Sequence, residues 1–170
     1  GNHALAGAGE QPGSLEFVSV RGGALAHRET VAPGGGFGFG PRHLDIHPGG
    51  RWAAVSLERQ NEVQIFRIEG DRFSGEPVFR LSTLQRPSTP SHDQLAGTIR
   101  FHPDGHVLYV VNRHDTSIYG DGAMPADPDG NNIAVCAFDA NDGRAEVLQH
   151  VPTESVHVRT FSLDAGGRVL

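Results

Sequence analysis

A short turn, His47-Pro48-Gly49-Gly50-Arg51, returns twice along the chain, as His102-Pro103-Asp104-Gly105-His106 and as Asp164-Ala165-Gly166-Gly167-Arg168. Proline fixes φ and glycine accepts positive φ, so each copy is a tight reversal. The aligned glycines Gly50, Gly105 and Gly167 set a period of roughly 60 residues. Apolar-alternating stretches enter the turns, RHLDI, TIRF and VRTFSL, and WAAVSLE and VLYVVNR leave the first two, while the third stops at Val169-Leu170. In the first copy Leu44 and Ile46 alternate with His43, Asp45 and His47; after a second turn at Asn61, Val63, Ile65 and Phe66 supply a third strand. Such a unit cannot bury its faces alone. Units of this length with several strands are the mark of a β-propeller, so the predicted fold is all-β, built of four-stranded antiparallel blades.

The same logic places the rest. Gly1-Asn2-His3 resembles the strand end Val111-Asn112-Arg113, and SLEFVSV (14–20) and ALAHRETV (24–31) follow as third and fourth strands. Residues 1–39 are thus the outer strands of blade one, 40–96 blade two, 97–156 blade three and 157–170 the start of blade four. The chain reads as one partial propeller domain, a fragment of about three blades, and the remaining blades or other copies are needed to close the ring. Two long polar connections, 84–96 and 119–132, read as surface excursions over a binding site.

Composition agrees and narrows the functions. An apolar fraction of 37% with 23 glycines and 11 prolines suits many short strands joined by turns. The net charge of −6 sets 20 acids against 14 bases, all of them arginine, and without a basic run no nucleic-acid partner is expected. No window has the length of a membrane helix and the first residues have no leader pattern, so the expectation is no membrane and a cytoplasmic protein. Cys136, in the run IAVCAF, has no second cysteine to pair with and reads as a buried, inert thiol.

PRHLDIHPGGRWAAVSLE (41–58), TIRFHPDGHVLYVVNRHDTSI (98–118) and HVRTFSLDAGGRVL (157–170) together resemble the seven-bladed propeller lactonases, which include bacterial 6-phosphogluconolactonase and the fungal carboxy-muconate lactonizing enzyme. The likeness covers essentially the whole chain. It implies seven blades in the full ring and 6-phosphogluconolactonase-like hydrolysis of a small anionic sugar lactone. Cycloisomerisation of a carboxy-muconate is the alternative activity, and a non-catalytic binding propeller of the Y-V-x-N repeat type is a third reading.

The residues point to one place. Arg42 and Glu58 are equally distant from Gly50, so a hairpin makes them neighbours on the channel face. The resemblance implies a pocket there built from arginines, a glutamate after the second strand and a histidine from a preceding blade. Position by position, Arg42, Glu58 and Arg113 match the catalytic set, and Arg159 repeats the place of Arg42 two blades on; the family's Asn-Glu reads Leu57-Glu58 here. Arg159, His43, Asn112 and His114 complete the set as substrate-binding candidates, and His3 is a loose candidate for the family histidine. Guanidinium forks would anchor a carboxylate or phosphate while Glu58 or a histidine moves a proton. An ion pair that merely ties the hairpin is the other use of Arg42 and Glu58.

No cofactor is called for, and no metal. His43 and His47 lie about 13 Å apart on a strand, too far for one ion. Asp127-x-Asp129-x-Asn131 lacks the glycine and terminal glutamate of a calcium loop. GGGFGFG (34–40) has no G-x-G-x-x-G register and leads into Pro41 and a strand, so it reads as a flexible entry. His47 and His102 read as turn residues on the opposite face, and His114-Asp115 as a hydrogen-bonded turn.

Overall fold

The computed structural model describes residues 12–70, 72–86, 94–115 and 130–170. Apart from a 3-10 turn at Pro33–Gly36, all regular structure in them is β. β1 (Leu15–Arg21) and β2 (Ala24–Val31) pair as a hairpin. β3 (Pro41–Ile46), β4 (Trp52–Leu57), β5 (Glu62–Glu69) and β7 (Phe79–Ser82) form an up-and-down antiparallel sheet, and β6 (Arg72–Phe73) folds back on the far end of β5. β8 (Gln94–Phe101), β9 (Val107–His114), β10 (Asn132–Asp139) and β11 (Arg144–Pro152) form a second four-stranded sheet. The all-β architecture and the four-stranded antiparallel unit both hold. Two details differ from expectation. β6 is an extra hairpin, and β8 starts at Gln94 rather than 97, because Ala96 N–H donates to the carbonyl of Glu58 at 2.8 Å and Asn61 Nδ2 donates to that of Gln94 at 2.9 Å.

Stacking explains why WAAVSL is apolar without alternation. Trp52 and Ala54 of β4 pack with Ile99, Phe101, Leu108 and Phe138 of the next blade, while Ala53, Val55 and Leu57 pack toward Val31 and Phe39 on the blade-one side. Both faces of the strand are buried, so both carry apolar side chains. Polar ties run between the sheets as well. Asp45 Oδ2 accepts the amide of Phe101 at 2.7 Å, and Ser56 Oγ donates to the carbonyl of Gly97 at 2.7 Å.

The repeated turns also join blade to blade. The Gly49 amide donates to His47 Nδ1 at 2.9 Å, which leaves the ring proton on Nε2, and Nε2 meets the carbonyl of Gly105 in the next turn at 3.1 Å. One repeat on, the Asp104 amide donates to His102 Nδ1 and His102 Nε2 lies 3.1 Å from the carbonyl of Gly167. The glycines make room for the rings: a Cβ at Gly105 would stand 2.5 Å from His47 Nε2, and one at Gly167 2.0 Å from His102 Nε2. The turn residues are thus also clasps.

Past Pro152 the structure departs from the reading. The turn at Asp164 closes, with the Gly167 amide on the Asp164 carbonyl at 2.9 Å, but the strand expected over 158–163 makes no ladder. The segment leans on blade three instead, Thr98 Oγ1 donating to the carbonyl of Arg159 at 2.9 Å. Among the described residues no helix is long and apolar enough to cross a membrane.

Candidate functional site

The site begins with a bulge. β3 pairs Pro41 with Leu57 and His43 with Ser56, so Arg42 is the extra residue with no partner opposite it. A bulge re-aims its side chain, and Arg42 Nε comes to 3.2 Å from Oε1 of Glu58, the residue just past β4. The same oxygen accepts Nη2–H of Arg113 from β9 of the next blade. Arg113 is 2% exposed and Glu58 7% at the side chain, so this is a buried carboxylate held by two guanidiniums from two blades.

The balance of charge leaves cation in excess. Arg113 Nε and Nη1 are buried with no hydrogen-bond partner among the described residues. Burial pushes the Arg113 pKa below the usual guanidinium value, Glu58 opposes that, and the charges of Arg159 and Arg42 lower it further. His43 adjoins the same cluster: burial lowers its pKa, and Arg42, Arg100 and Arg113 push it further down against Glu58. Its Nε2 is buried without a partner among the described residues. Two guanidiniums share one buried carboxylate, and the charges of Arg100 and Arg159 act on His43 and Arg113 beside it, so the cluster is rich in positive charge. A groove of about 370 Å³ opens beside Arg42 and His43, between β1 and β3.

A family model described as lactonase, 7-bladed beta-propeller, matches residues 18–170. The chain belongs to that family. A 6-phosphogluconolactonase from Erwinia tasmaniensis is 29% identical over 133 residues, which are 78% of this chain and 34% of that protein. A solved protein from Lactobacillus plantarum is 27% identical with a TM-score of 0.70, covering 89% of this chain and 39% of that one. A solved periplasmic gluconolactonase from Pseudomonas aeruginosa is 26% identical with a TM-score of 0.60, covering 85% of this chain and 33% of that one. The chain thus spans about a third of the length of the curated relatives it matches.

In this lactonase-family chain the structure brings Arg42, Glu58 and Arg113 together with His43 beside them, leaves Arg159 exposed with its charge acting on Arg113, and engages the other two candidates elsewhere. Asn112 is fully buried, its Nδ2 donating to the carbonyl of Thr83 at 2.6 Å and to Asn132 Oδ1 at 2.9 Å, so its amide ties blade two to blade three. His114 is buried against Gly130, where a Cβ would come within 2.1 Å of its Nε2, and its amide donates to Asn131 Oδ1. Asp115 pairs with Arg59 at 3.6 Å across the blades rather than simply closing a turn. The loose candidate His3 and the acids Asp127 and Asp129 lie outside the described residues. Sequence reasoning passed over Arg100 and His157. The repeat gave no signal for the second, since the position that matches it before Arg42 is Gly40.

Proposed function

We propose that this chain supplies part of the pocket of a lactonase that hydrolyses a small anionic sugar lactone, of the 6-phosphogluconolactonase kind. One observation carries the reading: the Arg113 guanidinium, 2% exposed, keeps Nε and Nη1 without partners among the described residues. Buried donors left open cost stability, so such a group is suited to an anion that completes it. Glu58 fixes the forks of Arg42 and Arg113, and the two can then take a phosphate or carboxylate and orient the lactone carbonyl toward water. The names of the Erwinia and Pseudomonas relatives support the reaction class, and they differ in whether the sugar carries a phosphate.

The test compares hydrolysis of 6-phosphogluconolactone and gluconolactone by the protein and by its Arg113→Lys variant. Replacing a two-point fork by a point charge removes one charge-assisted bond, about 1.5–3 kcal/mol. That corresponds to a loss of about 10- to 100-fold in kcat/KM, larger for the phosphorylated substrate. An unchanged kcat/KM on both lactones would rule the assignment out.

A further inference from the structure

Past β11, the last strand of blade three, the chain carries an imidazole that neither the repeat nor the family likeness singles out. His157 has φ +55°, one of three non-glycine residues with positive φ among those described. That region disfavours a residue with a Cβ and persists where the surroundings over-determine it. Two bonds do so here. The His157 amide donates to Asn131 Oδ1 at 3.0 Å, and His157 Nδ1 lies 2.6 Å from the carbonyl oxygen of His114. A carbonyl only accepts, so Nδ1 carries the proton and Nε2 is left as the acceptor of the ring. No described residue takes that acceptor up.

The place of the ring matters as much as its tautomer. His114, which holds it, directly follows Arg113. The start of β8, where Leu95 pairs with Arg113, is gripped from both sides: the Glu58 carbonyl accepts the Ala96 amide at 2.8 Å, and the Arg159 carbonyl accepts Thr98 Oγ1–H at 2.9 Å. Arg159, two residues from His157, therefore stands on one flank of β8 and Glu58 on the other. Glu58 Oε1 is already shared by two guanidiniums, whereas His157 presents an oriented, unengaged nitrogen.

Resting on the lactonase reading above, we infer that His157 is the general base, then the general acid, of the hydrolysis. Nε2 takes a proton from water as the water oxygen bonds to the lactone carbonyl carbon. The imidazolium returns that proton to the ring oxygen as the bond between carbonyl carbon and ring oxygen breaks. One water is consumed and a hydroxy acid leaves, with no other reactant.

His157→Asn tests this in the protein as purified. Asparagine enters the positive-φ region more readily than histidine, and its amide N–H can replace Nδ1–H on the His114 carbonyl, but it has no basic nitrogen. The expected result is an unchanged melting temperature and KM with kcat on 6-phosphogluconolactone lower by about 10²- to 10⁴-fold. A folded variant with wild-type kcat overturns the assignment and leaves the lactonase reading standing. A wild-type protein that hydrolyses neither lactone removes both. A second measurement needs no variant: on adding 6-phosphogluconate, the Nε2 resonance of His157 in the wild-type protein shifts, and a resonance that stays put overturns the role.

Discussion

Replacing Gly105 by alanine should destabilise the protein far more than a surface turn allows, because the added Cβ meets the previous blade. Gly105 has φ +80°, and a Cβ there would stand 2.5 Å from Nε2 of His47. The backbone alone costs about 1–2 kcal/mol for a residue with a Cβ in the left-handed region. The clash adds to it by driving His47 out of its seat, where its ring is 5.1 Å from Phe101, 5.2 Å from Phe138 and bonded to the Gly105 carbonyl. Losing that bond costs about 1 kcal/mol, and each aromatic contact about 0.5–1.5 kcal/mol. Gly105→Ala should therefore cost about 3–6 kcal/mol by urea denaturation, well beyond the range of an ordinary surface change. In a His47→Ala background nothing is left to collide with, and the same substitution should cost only the backbone share, about 1–2 kcal/mol. A double-mutant cycle then yields a coupling of about 2–4 kcal/mol between residues far apart in sequence. Two costs that add to within about 0.5 kcal/mol would refute the clasp.

Two further outcomes follow from burial. Cys136 is fully buried and its thiol pKa is pushed up to about 12, so the native protein should not react with a thiol-specific disulfide reagent at pH 8, and labelling should keep pace with unfolding; fast stoichiometric labelling of folded protein contradicts this. The His43 pKa is lowered by burial and then by Arg42, Arg100 and Arg113. The unfolded chain therefore binds its proton first, and the stability contributed by neutral His43 is complete above about pH 6.5 and lost as pH falls through the lowered folded value. Between pH 7.5 and 5.5 the wild type should lose more stability than His43→Asn, and equal losses would count against the assignment.

The parts of this architecture that could be read from sequence are those with local chemistry. His47-Pro48-Gly49-Gly50 announces a reversal within a few residues, and the hairpin it closes makes Arg42 and Glu58 neighbours by counting alone. Arg113 comes to the same carboxylate from the next blade, and no spacing rule reaches it; only the likeness to the lactonases did. The start of β8 at Gln94 and the clasp from His47 to Gly105 depend on partners tens of residues away, and neither leaves a mark in its own stretch.

The clasp changes what the repeat means. In a lone turn, histidine and glycine would be two independent choices, one for hydrogen bonding and one for φ. Here the glycine of each turn makes room for the histidine of the turn before, so the meaningful pair is histidine in one blade with glycine in the next. The third copy supports this division. Gly167 is kept and receives His102, but Asp164 stands where the histidine would be, and its Oδ1 accepts the amides of Arg168 at 2.6 Å and Val169 at 2.8 Å. That residue serves its own turn. A carboxylate so engaged has no N–H to offer a carbonyl further round the ring, so the series of clasps that runs through His47 and His102 has its last donor at His102 within this chain.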